Sequence, residues 1–266
     1  DRRRGKRLAC QSKPLGDCTI RVRTGAEYRP VVPPRRREAV LRRREAVTAD
    51  MAEFVFSTLE PAEFVAGQYA LFHPPGVAGV RAYSMSNLPN AAGEWRVVVR
   101  RVPGGRGSNA MFDGLAIGDV IGLDGPYGHA HFRREIEREA VLIAGGSGIG
   151  PIVSIARGAL AAEPRRRITV FEGARTRSDL AFPSFFGGVV PEAIAYTPVL
   201  SAEPEGSDWA GARGFVHAEM EKVLGDRIGE AEFYFAGPPP MVEALQELLI
   251  IRRTVPVERI HYDRFF

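Results

Sequence analysis

With 266 residues, the chain is long enough for roughly two domains that each bury a hydrophobic core. A hydrophobic fraction of 45% and a charged fraction of 26% exclude a disordered or fibrous protein. Two cysteines cannot build a disulfide framework. Because the sequence has neither a secretory signal pattern nor a steady apolar run of about 20 residues, we expect a cytoplasmic protein with no membrane partner.

The net charge of +4 conceals a basic amino-terminal segment, since residues 1–45 carry 15 Lys and Arg against 5 Asp and Glu. The remainder of the chain carries 21 against 27. A basic segment can bind nucleic acid or an acidic protein. Tyr28 is its only aromatic residue, however, so base stacking has little support, and we predict a solvated arm without a nucleic-acid partner.

The first two segments predict the end of a domain and a linker. In LACQSKPLGDCTIRV, residues 8–22, a cysteine in a turn-rich run precedes an alternating strand, so we assign a domain remnant to residues 1–27. The stretch RPVVPPRRR that follows joins three prolines to four arginines, a composition incompatible with a helix or a strand ladder. We predict a linker over residues 28–37.

Residues 38–136 have the pattern of an antiparallel β domain. Apolar residues mostly alternate between Ala39 and Leu59, and the β-like runs QYALFHP, EWRVVVRRV and GDVIGLDGP follow, separated by Gly, Pro and Asn. Short strands at this spacing predict a barrel or a sandwich.

Residues 137–266 have a different pattern, in which continuous apolar strands alternate with helical periods. Examples are EAVLIAGGSGIGPIVSIARGALAA and EFYFAGPPPMVEALQELLI. Apolar strands without alternation predict a parallel sheet that is covered by helices on both faces. The expected architecture is therefore an antiparallel β-barrel followed by a parallel-sheet α/β domain.

A glycine loop, Gly145–Pro151, lies between a predicted strand and a predicted helix. Glycines let a phosphate approach the backbone, and the helix amino end offers free N–H groups. The loop is neither the common G-x-G-x-x-G fingerprint, which would need glycine at position 151, nor a G-x-S-x-G elbow, which would need glycine at position 149. A simple tight turn remains the alternative.

Three further segments carry candidate ligand contacts. RAYS, residues 81–84, combines a guanidinium with a ring and a hydroxyl, which suits a phosphorylated aromatic cofactor. GGRGS, residues 104–108, offers a second diphosphate cradle before a short helix. FYFAGPPPM, residues 233–241, places a stiff loop at the carboxyl end of a buried strand, where ligands bind in open parallel sheets. Taken singly, a solvated β face and a stiff helix entry remain the alternatives for the first and third segments.

Taken together and in this order, the segments resemble the ferredoxin-NADP reductase superfamily over about residues 36–266. RAYS resembles its R-x-Y-S flavin motif, GGRGS its flavin diphosphate loop, GGSGIGP its nicotinamide-nucleotide loop and AGPPPM its C-G-P-P-x-M motif. FEGARTRSDL and HYDRFF look most like the reductase components of bacterial multicomponent oxygenases that attack aromatic rings, alkenes or methane.

The resemblance implies that residues 38–136 form a barrel that binds FAD. Arg81 would hold the flavin phosphate, Tyr83 would pack against the flavin, and Ser84 would hydrogen-bond near flavin N5. Phe265 or Phe266 would cover the ring, so these two and Ser84 are the expected catalytic residues. The expected FAD-binding residues are Arg81, Ala82, Tyr83, Ser84, Val99, Arg100, Gly105, Gly107 and Ser108.

The resemblance likewise implies that residues 137–266 bind the nicotinamide dinucleotide. The glycine loop would cradle its pyrophosphate and the AGPPPM segment would frame its nicotinamide, although Ala236 replaces the family cysteine. Arg175 and Arg177 would attract a 2′-phosphate, whereas Glu172 and Asp179 would repel it and accept a ribose hydroxyl, so we favour NADH and keep NADPH as the alternative. The expected residues are Gly145, Gly146, Ser147, Gly148, Glu172, Arg175, Asp179, Gly237, Pro238, Pro239 and Met241.

Many of these reductase components begin with a plant-type ferredoxin domain, whose end is similar to the LACQ segment. Cys10 would then be a ligand of a 2Fe-2S cluster, but only if three upstream cysteines are present, so we expect no cluster in this chain.

The implied function is a monomeric reductase that oxidises NADH. It would pass a hydride to FAD and then single electrons, through the 2Fe-2S centre of the full-length protein, to an oxygenase component or its ferredoxin. Two alternatives stay open: a stand-alone flavin reductase or diaphorase, and a nucleotide-sensing or assembly subunit without turnover.

Overall fold

The computed structural model describes residues 15–19, 21, 25 and 29–265. The chain divides into two compact units, residues 1–31 and residues 32–266. Cys10 and Phe266 lie outside the described residues, as does most of the predicted remnant over residues 1–27. Every helix and strand of the described residues belongs to the second unit.

The first half of this unit is an antiparallel, nearly closed barrel of six strands in the spatial order β4-β3-β6-β1-β2-β5. A bridge between Met85, just after β4, and Val97 of β5 brings the two edge strands together. The elements are β1 (Arg35–Ala46), β2 (Met51–Ser57), β3 (Tyr69–Phe72), β4 (Arg81–Ser84), β5 (Glu94–Arg100), helix α1 (Arg106–Asp113) and β6 (Val120–Tyr127).

The strand ladder begins earlier than the composition predicts. Arg35 to Arg37, placed in the linker by the sequence analysis, already pair with β6 as the first residues of β1. The last proline of that stretch is Pro34, so each of the three arginines keeps the backbone N–H that a ladder requires.

The barrel core explains the alternation in the sequence. Phe54, Phe56, Trp95 and Val97 point into the barrel and are fully buried. The opposite faces of β2 and β5 are also covered, because Met51 and Val98 pack against the second half of the unit.

The second half is a six-stranded parallel sheet in the order β10-β9-β8-β7-β11-β12. Its strands are β7 (Ala140–Gly145), β8 (Ile168–Ala174), β9 (Ile194–Leu200), β10 (Ala212–Arg213), β11 (Glu232–Gly237) and β12 (Ile260–Arg264). Its helices are α2 (Ile149–Ala162), α3 (Val216–Leu224) and α4 (Pro239–Gln246), which continues as a π-helical turn over Glu247–Arg252. Short 3-10 turns cover Gly146–Gly148, Arg177–Asp179, Phe182–Phe186, Gly225–Gly229 and Val257–Arg259.

Helices cover both faces of the sheet, as the continuous apolar strands predict. Val141, Phe171 and Phe233 belong to the core of one face, which includes α3 and α4 residues. The core of the other face contains residues of α2 and also Met51, Val98 and Phe132 of the first half, so one core joins the two halves. This shared packing sets the barrel against the sheet.

Both predicted architectures, the antiparallel barrel and the α/β sheet, are confirmed. Within the part of the chain that the structure describes, no helix is both long and apolar enough to cross a membrane.

Candidate active site

A cavity with a volume of about 830 Å³, the first cavity, lies between the barrel and the carboxyl edge of the parallel sheet. Strands β4 and β5, the glycine turn before α1, the glycine loop after β7 and the end of β12 form its walls. All the residues predicted to bind FAD line this first cavity except Val99. The four residues of RAYS and the GGRGS turn, which lie far apart in sequence, therefore share one site.

The structure corrects the prediction for Val99, because side chains alternate along β5 and that of Val99 faces away from the first cavity. Its side chain is 1% exposed and packs in the barrel core beside Val97. Val98 and Arg100 point the other way and line the first cavity.

An anion cradle lies where β4 meets the start of α1. A Cβ on Gly107 would come within 2.5 Å of the Arg81 Nε, so the arginine side chain lies directly over this glycine. The first turn of α1 contains no acidic residue, and its free N–H groups lie beside this guanidinium. The pair fits a phosphate of FAD. Ser108 mainly shapes the turn, because its hydroxyl donates to the Gly105 carbonyl and accepts from the Val102 N–H.

Aromatic residues also line the first cavity. Tyr83 packs edge-on against Phe72, with ring centroids 5.8 Å apart, and burial raises the pKa of Tyr83 to about 12, which keeps the phenol neutral. The Phe265 backbone N–H donates to the Gly237 carbonyl at 2.9 Å, which ties the backbone of Phe265 to the AGPPPM segment. Ser84 is 5% exposed and lines the same region.

Asp263 is a residue of this cavity that the sequence analysis missed. It lies at the carboxyl end of the edge strand β12, in register with Ala236, and lines the cavity with Tyr69. Burial raises the pKa of Asp263 to about 6. Burial also raises the pKa of Tyr69, with a smaller contribution from the charge of Asp263. The available signal was the acidic residue two positions before Phe265 in HYDRFF.

A second cavity of about 470 Å³ lies along the carboxyl ends of β7, β8 and β9 and the amino ends of α3 and α4. Of the predicted dinucleotide residues, Gly145, Gly146, Arg175, Asp179, Pro238 and Met241 line it. Ser147 lines the first cavity instead. The exposed ring of Phe215, before α3, belongs to the second cavity although no motif pointed to it.

The remaining glycines act through packing. A Cβ on Gly148 would lie 2.0 Å from the Ala236 carbonyl oxygen, and one on Gly237 would lie 2.6 Å from the Met241 methyl group. Gly146 has a φ of +56°, in the left-handed region that favours glycine. The glycine loop therefore lies against β11 in a conformation that leaves the amino end of α2 open to a phosphate.

The structure corrects the prediction for Glu172. Its carboxylate is 3% exposed and accepts hydrogen bonds from the Ala181 and Phe182 N–H groups and from the Tyr196 hydroxyl at 2.5 Å. Burial raises the pKa of Glu172, and these hydrogen bonds act in the opposite direction. Because side chains alternate along β8, Gly173 faces the second cavity and Glu172 faces away, so this carboxylate supports the loop after β8 and leaves the ribose contact to another group.

Asp179 and Arg175 are the charged residues of that loop that line the second cavity. The Asp179 carboxylate accepts from the Thr176 N–H at 2.9 Å, which fixes its position. Arg177 has other partners, since its N–H donates to Glu203 and its Nη2 donates to Asp208 at 2.7 Å. Pro239 lies on the first turn of α4, next to Pro238.

The two cavities adjoin at one place. Arg100, Gly145, Gly146 and Pro238 line both of them. Ligands in the two cavities can therefore touch at this junction, whereas their distant ends are held separately.

Comparison with known proteins agrees with this geometry. An oxidoreductase FAD-binding domain matches residues 38–132 and an oxidoreductase NAD-binding domain matches residues 142–247. A ferredoxin–NAD(P)+ reductase of Metapseudomonas resinovorans is 36% identical over the whole of this chain and 80% of its own length. The chain belongs to the ferredoxin–NAD(P)+ reductase family.

Other members of the family have similar coverage. The ferredoxin–NAD+ reductase component of the alkene monooxygenase system of Xanthobacter autotrophicus is 36% identical over all of this chain and 81% of its own length. The solved structure of a ferredoxin reductase in carbazole 1,9a-dioxygenase aligns with a TM-score of 0.88 and 33% identity, covering 98% of this chain and 78% of that one. The chain is thus an oxidoreductase that uses FAD and NAD(P)H, as the motifs predict.

Proposed function

We propose that the chain takes electrons from NADH and delivers them singly to an oxygenase component, or to the ferredoxin of such a system. The observation that carries this proposal is the junction of the two cavities at Arg100, Gly145, Gly146 and Pro238. A flavin ring in the first cavity and a nicotinamide in the second would meet there. Relatives named as reductases of carbazole and alkene oxygenase systems support the choice of acceptor.

The protein contributes orientation and the exclusion of water. FAD, when bound, supplies the exchange between two-electron and one-electron chemistry. Arg81 and the amino end of α1 would bind its phosphate, while Tyr83 and Phe265 would contact the flavin and Ser84 would hydrogen-bond near its reacting edge. The glycine loop would hold the dinucleotide, and Pro238 would limit the movement of its nicotinamide. No acid or base is needed for a hydride to move between two aligned rings.

We assign NADH as the preferred coenzyme. Asp179 lines the second cavity, where its negative charge would repel a 2′-phosphate and could accept a ribose hydroxyl. Arg177 is held by Glu203 and Asp208, so Arg175 is the cation of this loop that stays available. Asp179 alone supports this preference, because Glu172 faces away from the second cavity.

The proposal includes a monomeric protein that works in the cytoplasm beside its oxygenase. If Cys10 is a cluster ligand in a longer protein, a 2Fe-2S centre would carry the electrons from the flavin to the acceptor. The replacement of the family cysteine by Ala236, which is 2% exposed, leaves no thiol at the nicotinamide, and we expect activity to persist.

The proposal is tested with FAD-loaded protein and a purified plant-type ferredoxin of an oxygenase system. We expect NADH to reduce the ferredoxin at a rate that depends on bound FAD, with NADPH much less effective. Fast reduction of free flavin or a dye without reduction of any such ferredoxin would favour a diaphorase. Binding of FAD and NADH without any turnover would favour the sensing or assembly subunit.

A further inference from the structure

Arg100 brings a barrel side chain to the place where the two cavities join. It is the last residue of β5 and lines both cavities. A Cβ on Gly146 would be 2.9 Å from its Nη1, so the guanidinium lies directly against the glycine loop of the other half. A cation from the barrel therefore faces the backbone that cradles the dinucleotide.

Asp50 determines the orientation of this guanidinium. Its Oδ2 accepts from the Arg100 Nε at 2.6 Å. The carboxylate is itself held by the Thr48 hydroxyl, which donates to Oδ1 at 3.1 Å, and the Asp50 carbonyl accepts from the Arg101 N–H at 2.7 Å. The turn between β1 and β2 is thus tied to the end of β5 through both the side chain and the main chain of Asp50.

The Asp50–Arg100 pair leaves the two Nη groups of the arginine free. Within residues 29–265, no protein group accepts a hydrogen bond from either Nη group of Arg100. An arginine that is fixed by a hydrogen bond from Nε and exposes both Nη groups can contact a diphosphate at two points. The pair contributes little to fold stability, because the Arg100 and Asp50 side chains are 34% and 40% exposed and exposed ion pairs stabilise a fold only weakly.

We propose that Asp50 is a positioning residue for the nicotinamide dinucleotide: it holds Arg100 so that the two Nη groups face the pyrophosphate in the glycine loop. This inference rests on the proposed function and adds a barrel residue, remote from every motif, to dinucleotide binding. It also predicts whether the Asp50 carboxylate weakens or strengthens the binding of the dinucleotide. A carboxylate near a pyrophosphate should weaken binding by repulsion, whereas a carboxylate that orders a cation should strengthen it.

The experiment measures the affinity of FAD-loaded protein for NAD+ by titration calorimetry, and the limiting rate of flavin reduction by NADH in a stopped-flow instrument. We expect Asp50→Ala to raise the Kd about fivefold, which is the effect of freeing one long side chain, and to leave the limiting rate within about twofold. Asp50→Asn, which keeps an acceptor for Nε, should have a smaller effect. In the Arg100→Ala background, Asp50→Ala should have no further effect.

The matched control is Asp113→Ala, which breaks the Arg101–Asp113 pair on the same half of the unit, since these two residues line neither cavity. It should leave the Kd for NAD+ unchanged. Tighter or unchanged binding in Asp50→Ala, or an undiminished effect in the Arg100→Ala background, would overturn the positioning role. Failure of NADH to reduce the wild-type flavin would instead contradict the proposed function, and the calorimetric comparison would still decide the role of Asp50.

Discussion

The two cavities are built from different parts of the polypeptide. The first, of about 830 Å³, is lined largely by side chains of antiparallel strands, among them Arg81, Tyr83 and Ser84. The second, of about 470 Å³, follows the ends of parallel strands, where the backbone of the glycine loop is the expected phosphate ligand. Antiparallel strands present alternate side chains to a ligand, while the ends of parallel strands present main-chain N–H groups and helix amino ends.

This difference determines which substitutions should damage each site. A site made by side chains loses affinity when a side chain is removed. A site made by the backbone loses affinity when a Cβ is added. Four substitutions test this contrast.

The largest effect is expected for Gly148→Ala in the backbone-made site. The added Cβ would lie 2.0 Å from the Ala236 carbonyl oxygen, and neither backbone segment can yield without moving the loop or β11. We expect a loss of about 3 kcal/mol in the free energy of unfolding, with NAD+ binding lost as well. Gly206→Ala is the matched control because its Cβ would meet no atom within 4 Å, and urea unfolding of both variants checks the difference.

Arg81→Ala tests the side-chain-made site. Removing the guanidinium that lies over Gly107 should raise the Kd for FAD by roughly 10- to 100-fold, the usual value for a charge-assisted hydrogen bond. Arg81→Lys should recover part of the loss because it keeps the charge without the fork. Fluorescence titration with FAD measures the effect. An equal fall in the affinities for NAD+ and FAD would contradict the assignment of Arg81 to the FAD site alone.

Asp263→Asn addresses the charge at the edge of the first cavity. Because burial raises the pKa of Asp263 to about 6, the folded state binds more protons than the unfolded state between about pH 4 and 6, and stability falls as pH rises through that window. The amide removes this cost, which is about 3 kcal/mol at most at pH 8 and roughly half of that at pH 5. The thermal midpoint of the FAD-free variant should therefore exceed that of the wild type at pH 8, and by less at pH 5. An equal difference at both values would contradict the raised pKa.

Ala236→Cys is the mildest change, since it restores the residue found in the family motif. Hydride transfer depends mainly on the alignment of the two rings, so we expect the limiting rate of flavin reduction to change by roughly threefold or less, under 1 kcal/mol in the barrier. Stopped-flow reduction at saturating NADH measures it. A much larger gain would show that the missing thiol limits this chain.

Features that depend on local backbone chemistry were predictable from the sequence. The glycine loop, the RAYS strand and the AGPPPM segment are short, and parts of all three line the first cavity. The parallel sheet also followed from the continuous apolar strands.

Features that depend on the direction of a side chain, or on contacts between distant segments, were not predictable. Val99 and Glu172 were predicted to contact ligands, but strand alternation turns both side chains away from the cavities. The Asp50–Arg100 pair joins residues 50 positions apart, and the raised pKa of Asp263 comes from burial by other elements. A local sequence pattern does not indicate contacts between distant segments.

The central claim is that ligands in the two cavities meet at their junction, and the most direct test is anaerobic addition of one equivalent of NADH to FAD-loaded protein. The account predicts that NADH bleaches the visible absorbance of the oxidised flavin in the wild-type protein. It also predicts that the Gly148→Ala variant is not bleached, whereas the Gly206→Ala variant, loaded with the same amount of FAD, is bleached like the wild type. An oxidised flavin spectrum that persists with NADH bound to the wild-type protein would contradict the claim.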